Sequence, residues 1–566
     1  DIVKQRAPYN DESSLRYIRT HINNIEQDFI ADSFSEQSVG LLDVESIGAA
    51  NALINYVRGL DQNGMRSRNL DGEQQMLGDF VYSKPVALNK PAENIHLLYD
   101  DASYLDFYRQ YRNRRTMVYA GANDGMIHAF NGGWFDKSID LLTGYPINKF
   151  EKGRTGTIQW DLGKEIWSYV PYNLLPHLKH LSGEDYGKVD GDHVYFVDQK
   201  PRLFDARVFA YTDTDGLSIT GVSGQTGADV HPNGWGTLMV VGFRLGGGTS
   251  EVALNPSDGA SATVTTRPAY AIFDVTDPEK PPKLLLEFTS SELGYSLSQP
   301  APFVWNDGGT RKWSLMLGSG PDATGAGISE VKSTQNPRLF MLDLKTLALD
   351  TSFGTGGILE LTGEANSFIG DIISADFDLD FSADAVYFGT TKGNDTDSDG
   401  DVDNWTGKLM RVCLKSSTDC ATGTYKNAAV MMDLTRPMIA TPSISFDDND
   451  NRWLHFGTGR FYTENDTVDA TNQFSYGVKE PVDTSGAVSY GAVDSAKIVD
   501  VTNATVLEKT GALTAVTLSP ALGGGGTVSD LEDRMMGYSD VSKYQSGWKK
   551  ELGTGERIIG QPALFG

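Results

Sequence analysis

Along most of this chain, apolar residues alternate with polar ones or gather in short blocks, and a glycine turn closes each block. One unit recurs: an apolar strand, a glycine turn and a second apolar strand. It appears as RTMVYAGANDGMIHAF (115–130), TLMVVGFRLGGG with PAYAIFDV (237–275), WSLMLGSG with PRLFMLDL (313–344), AVYFGTTKG with GKLMRVCL (385–414) and RWLHFGTGRF with FSYGV (452–478). Period-two or fully apolar runs of this length, bounded by glycine, are strand signals. Upstream of most units lies another short strand, often opened by proline: KPVAL (84–88), QPAPFVW (299–305), IISADFD (372–378), TPSISFD (441–447) and QPALF (561–565). The last three units begin roughly 70 residues apart. Three- or four-stranded repeats at such spacing predict an all-β chain folded as a β-propeller with decorated loops. Letting the orphan QPALF strand close the ring beside an N-terminal blade, the expected number is six to eight blades, about seven. A β-sandwich with insertions is the runner-up; the repeat favours blades, because each needs neighbours to bury its faces.

The first 80 residues follow another rhythm. In SLRYIRTHINNIEQDFI, Leu15, Ile18, Ile22, Ile25 and Phe29 are spaced by three and four, which predicts a helix, with capping residues in NDESS before it. ESIGAANALINYVRG (45–59) predicts a second helix, stopped by Gly59. The expected organisation is therefore a small helical N-terminal extension (1–80) and a propeller domain with long loop insertions (81–566). The inserts at 132–165, 212–233, 246–266 and 463–535 are polar and glycine-rich, and within the last DATNQ and GGGGTVSD read as exposed loop.

Charge narrows the range of partners. Lys+Arg is 48 against Asp+Glu 75, a formal net charge of −27, which disfavours nucleic acid and suits cations or basic surfaces. No apolar run approaches the ~20 residues of a membrane-spanning helix. The opening DIVKQRAPYN has no apolar stretch of a signal peptide, so a fragment or processed product is expected. Cys413 and Cys420, the only cysteines, either form a local disulfide, which would mean an oxidising compartment, or stand as two unpaired thiols.

Two aspartate ladders carry the candidate chemistry. In NDTDSDGDVDNW, Asp395, Asp397, Asp399 and Asp403 sit at positions one, three, five and nine of a curled loop. Gly400 occupies position six, where positive φ is needed, and Asp401 at position seven would offer its carbonyl. Alternate carboxylates around a tight loop supply the oxygen ligands of Ca2+; Mg2+ prefers to keep its waters. Position twelve is Thr406, so the bidentate glutamate of an EF-hand is missing and Asp403 must serve. The bland reading is a solvated acidic loop, costly to pack without a cation. Upstream, Asp376, Asp378, Asp380, Ser382 and Asp384 repeat the spacing, with Phe381 in place of the glycine. Here the competing reading is a short strand with outward acidic residues.

Catalytic constellations do not stand out. His177 and His180 in LLPHLKH have no third ligand, and isolated histidines are usually structural; no G-x-S-x-G, phosphate loop or H-E-x-x-H occurs. The chain is therefore expected not to be an enzyme. AGANDGMIHAFN (120–131) resembles the blade repeat of quinoprotein dehydrogenases, which hold pyrroloquinoline quinone with adjacent cysteines and calcium. The two cysteines here are not adjacent, so that likeness is one of scaffold.

A fuller resemblance runs in order over residues 50–566. RTMVYAGANDGMIHAFN, EIWSYVPYNLLPHLKHL, HVYFVDQKPRLFDARVF, GWGTLMVVGFRLGGG, AYAIFDVTDPEKP, WLHFGTGRFY and GWKKELGTGERIIGQPAL resemble the PilC/PilY family of type IV pilus tip-associated proteins. The resemblance implies the C-terminal propeller of such a protein, without its variable N-terminal region. It implies pilus biogenesis, opposition to retraction and surface adhesion, with pilins and minor pilins and a host or abiotic surface as partners. The implied location is the cell surface at the pilus tip, with the periplasm or outer membrane in transit. A family regulatory calcium loop precedes a V-Y-x-G strand, which maps onto Asp376, Asp378, Asp380, Ser382 and Asp384 before AVYFG. Where some relatives carry Arg-Gly-Asp, this chain has Arg58-Gly59-Leu60-Asp61, so integrin binding is not expected. A generic extracellular binding propeller remains the alternative to a pilus role.

Overall fold

The computed structural model describes residues 4–22, 25–139, 146–188, 193–227, 229–255, 262–324, 330–483, 487–509, 512–517, 525–526 and 545–564. The chain divides into two compact units, Asp1–Gln299 with Leu344–Ala348 and Pro300–Asp343 with Leu349–Gly566.

Each of the five strand-turn-strand units read from the sequence forms the central antiparallel pair of one sheet. In the first unit, Arg202–Arg207, Trp235–Gly242, Tyr270–Asp274 and Lys283–Phe288 follow one another in chain order as a four-stranded meander. Every residue of its two central strands is buried, which explains why they read as unbroken apolar runs. In the second unit the same meander recurs as Ser367–Ala375, Ala385–Asn394, Asn404–Cys413 and Ala428–Leu434. Another sheet there begins Ser443–Phe446, Arg452–Gly457, Phe474–Lys479 and takes its next strand, Gly547–Glu551, from beyond a long insert. The fold class is all-β of propeller type, with successive antiparallel meanders as blades.

Three expectations need correction. The helix read at 15–29 is instead a hairpin of Ile18–Ile22 and Ile25–Asp28. Ile18, Thr20 and Ile22 are buried while Arg19 and His21 are half-buried, a period of two, and the β-branched residues suit the pleat. Ile18–Ile22 then pairs in parallel with Glu165–Val170, joining the sheet of residues 116–139. The second expected helix does form, Ile47–Val57, with Ser46 Oγ accepting from the Ala49 amide and Gly59 at φ 112° just beyond its end.

The inserts are more ordered than expected. Ile127–Ile139 pairs with Pro146–Glu151, and Ser250–Ala253 with Thr263–Thr266, both as antiparallel hairpins. DATNQ has no regular structure, but its Gln473 is buried; most of GGGGTVSD lies outside the described residues. The QPALF segment is no strand over its described residues 561–564. It runs beside Ser443–Phe446 of its own unit, where Ser443 Oγ donates to the Pro562 carbonyl and Gln561 Nε2 to that of Pro442 (3.2 Å).

Candidate metal centre

The Ala385–Asn394 strand carries a ladder at each end: Asp384 immediately precedes it and Asp395 immediately follows it. Ten residues at ~3.3 Å each hold the two loops on the order of 30 Å apart, so they form separate clusters. In one, carboxylate oxygens of Asp376, Asp378 and Asp384 lie within 4.8 Å of one another; in the other, those of Asp395, Asp397 and Asp403 do.

The two loops fold alike. The position-one carboxylate closes each: Asp376 Oδ2 accepts from the Phe381 amide (2.9 Å) and Asp395 Oδ2 from the Gly400 amide (3.1 Å). The position-nine carboxylate accepts from the amide of position two, Asp384 from Phe377 (2.8 Å) and Asp403 from Thr396 (2.6 Å). Positive φ falls at positions four and six of both, at Leu379 (56°) and Phe381 (65°), and at Ser398 (64°) and Gly400 (100°). Phe381 thus adopts the conformation for which glycine is ordinarily chosen. Its ring gives a reason: it packs edge-on against Trp313.

Burial and counter-charge separate them. Asp384 is fully buried, whereas Asp395, Asp397 and Asp403 are exposed. Lys415 reaches the first cluster, with Nζ 2.9 Å from Asp384 Oδ1, 3.5 Å from Asp380 Oδ2 and in contact with Asp378. The register puts it there: Cys413 pairs with Ala385, and the Leu414 amide donates to the Asp384 carbonyl (2.8 Å). A disulfide joins Cys413 to Cys420, Cα–Cα 5.8 Å, and closes the loop holding Lys415. Burial alone would lower the Lys415 pKa, but Asp378 and Asp384 outweigh it and hold the ammonium above its ordinary range. Burial would raise Asp378, and the hydrogen bond from Lys415 depresses it instead. In the exposed cluster, Asp401 is raised by the charges of Asp399 and Glu330, and Asp403 is lowered by hydrogen bonds from Thr396.

Not every expected ligand joins its cluster. Ser382 is buried and its Oγ accepts from the Asn306 amide (3.0 Å). Asp399 Oδ1 accepts from the Asp401 amide (2.9 Å). Lys415 could not be anticipated from spacing; its only signal was that it follows the strand that pairs beside Asp384. The donor set is entirely oxygen and includes the buried Asp384, which fits a hard cation.

The first unit holds a cluster of a different kind. His128 is fully buried, with Nδ1 2.7 Å from Glu165 and Nε2 3.1 Å from Asp124, and Arg16 meets both Glu165 oxygens at 2.7 Å. Burial would lower His128, but Asp124 and Glu165 outweigh it and raise it to about 9. Gly125, at φ 90°, makes the turn between Asp124 and His128, and a Cβ there would lie 2.3 Å from Leu178 Cδ2. The GANDGMIHAF motif is therefore an internally neutralised buried network. His177 Nε2 meets the Gly248 carbonyl (3.2 Å), consistent with a structural role.

Meanders of this kind define an all-β propeller-type fold, here with an aspartate loop at each end of one strand. No protein-family profile matches the chain. Over 466 residues, 79% of the chain, it is 24% identical to the type IV pilus biogenesis factor PilY1 homolog of Xylella fastidiosa (strain Temecula1 / ATCC 700964), 28% of whose length is covered. Over 60% of the chain it is 25% identical to the type IV pilus biogenesis factor PilY1 of Pseudomonas aeruginosa (strain UCBPP-PA14), covering 22% of that protein. A solved structure, the C-terminal domain of Pseudomonas aeruginosa PilY1, superposes with a TM-score of 0.47 at 18% identity, covering 84% of this chain and 80% of that one. The chain is thus similar to PilY1 proteins, in line with the PilC/PilY resemblance, and spans less than a third of the length of those two. Among the described residues no helix is long and apolar enough to cross a membrane.

Proposed function

We propose that this chain is a calcium-binding, non-enzymatic propeller-type part of a protein that acts in type IV pilus biogenesis. The relatedness to pilus biogenesis factors over 79% of the chain carries the pilus reading. The family resemblance extends it to opposing retraction and to surface adhesion, with pilins and minor pilins as partners and the cell surface as location. Convergence of Asp376, Asp378 and the buried Asp384 supports calcium at the first loop, and Asp395, Asp397 and Asp403 support it at the second. Calcium would supply positive charge that relieves repulsion among these carboxylates, tying each loop to the strand it flanks.

Isothermal titration of chelator-treated protein with calcium tests the metal reading: two sites are expected, and no heat at either loop would overturn it. Surface pilus yield and twitching in a deletion strain complemented with wild-type or Asp384→Ala protein test the pilus reading. Pilus counts unchanged by the deletion would favour a generic extracellular binding propeller.

A further inference from the structure

Three Asn-Gly steps occur in the chain, Asn63-Gly64, Asn131-Gly132 and Asn233-Gly234, and their surroundings differ sharply. Asn131 is 2% exposed; its Nδ2 donates to the Trp160 carbonyl (2.6 Å), and its Oδ1 accepts from the Gly133 amide (2.9 Å) and from Arg115 Nη1 (2.8 Å). Asn233 Nδ2 donates to Asp106 Oδ2 (3.3 Å), and the Gly234 amide donates to the His231 carbonyl (3.0 Å). Asn63 and Gly64 are both exposed. They form the middle of a turn closed by the Met65 amide donating to the Gln62 carbonyl (3.2 Å), with Gly64 at φ 76° and open space where a Cβ would stand. Below the turn, Asp61 accepts from the Arg68 amide (2.5 Å) and from Ser67 Oγ (2.8 Å), so the base is tethered and the tip is left to solvent. Among the described residues neither the Asn63 carboxamide nor the Gly64 N–H has a hydrogen-bond partner.

We infer that Asn63 is a site of spontaneous covalent modification, deamidation through a succinimide. Asparagine is chemically labile, and here its own backbone supplies the nucleophile. The Gly64 nitrogen loses its proton and bonds to Asn63 Cγ, closing a five-membered ring as the Cγ–Nδ2 bond breaks and ammonia leaves. Water then opens the ring at either carbonyl. Opening at Cγ leaves an aspartyl residue; opening at the backbone carbonyl leaves an isoaspartyl linkage, with the side-chain methylene now in the main chain. The net reaction exchanges NH2 for OH, consumes one water, releases one ammonia and changes no oxidation state. Glycine suits the step because no Cβ crowds the attacking nitrogen, and the exposed tip lets side chain and backbone rotate into line. At Asn131 and Asn233 the same closure would first have to break the hydrogen bonds that hold those carboxamides. The product carries one more negative charge in a chain already at −27, between the helix Ile47–Val57 and the hairpin that pairs Asn69 with Gln74. The inference is independent of the metal and pilus readings.

Peptide mapping by mass spectrometry, after incubating the purified chain at neutral and at mildly alkaline pH, tests it. The tryptic peptide from Gly59 to Arg66 should gain the mass of NH2 exchanged for OH and split into aspartyl and isoaspartyl forms, the latter labelled by an isoaspartyl methyltransferase. It should react on the order of tenfold faster than the peptides holding Asn131 and Asn233, since each of those must lose hydrogen bonds first. The rate should rise with pH, because the Gly64 nitrogen must shed its proton. In urea all three sites should react at similar rates, and Asn63→Gln should abolish the signal without altering the melting temperature. An unchanged Gly59–Arg66 peptide, equal reaction at Asn131 or Asn233 in the folded chain, or aspartyl product with no isoaspartyl form would overturn the inference.

Discussion

The two ladders share spacing, closing hydrogen bonds and the positions of positive φ, yet the first anchors its last carboxylate in the core while the second stands wholly in solvent. Asp384 is fully buried with Lys415 against it, whereas Asp395, Asp397 and Asp403 are exposed. The difference teaches that a ligand motif sets a loop's conformation, while its surroundings set what losing the ligand costs. The buried network of Asp124, Glu165, His128 and Arg16 marks a third condition, in which protein cations alone neutralise the carboxylates.

The sharpest way to break this comparison is Asp384→Ala. It leaves the Phe377 amide without its acceptor and takes one of three carboxylates from Lys415, a cost of up to about 3 kcal/mol. A large fall in melting temperature and a pilus defect are expected; wild-type behaviour beside a defective Asp403→Ala protein would reverse the ranking of the ladders. Next is the pH response of the His128 network. His128 is raised from 6.5 to about 9, so its contribution is full below pH 6.5 and lost as pH rises through about 9. The shift amounts to on the order of 3 kcal/mol, seen as melting temperature against pH and absent in His128→Gln. Chelation should follow closely, since free calcium at 100 times Kd stabilises a site by about 2.7 kcal/mol. Calorimetry with calcium and with chelator measures this, and coincident curves would remove calcium from the account of either loop.

Smaller effects sharpen the contrast. Lys415→Gln removes the cation competing for Asp378 and Asp384, so calcium affinity at the first loop should rise about tenfold, roughly 1.4 kcal/mol, with the second loop unchanged. Equal tightening of both sites in titration would show that Lys415 acts through overall charge. Asp403→Ala should cost within about 0.5 kcal/mol in chelator, because the loop is exposed.

Much of this was legible in the residues. The five central pairs followed from apolar runs and glycine turns, and the ladders from aspartates at alternate positions. The first helix was misread because Ile18 and Ile22 fit a spacing of four as well as two, and Thr20, polar by type, is buried between them. The pairing of Ile18–Ile22 with Glu165–Val170 depends on a strand about 150 residues away, beyond any local pattern. Asp376, Asp378 and Asp384 were readable as a set, but Lys415 entered through sheet register. Ser382 was drawn off by the Asn306 amide, a tertiary contact that spacing does not encode.

The Cys413–Cys420 bond has a consequence for maturation. It closes the short loop from which Lys415 reaches the carboxylates, two residues beyond Cys413. In a reducing cytosol that loop would be open and the lysine's placement left to a single strand end; in an oxidising compartment the placement is covalently secured. The balance between lysine and metal at Asp384 would then depend on where the chain has travelled, as well as on how much calcium it meets there.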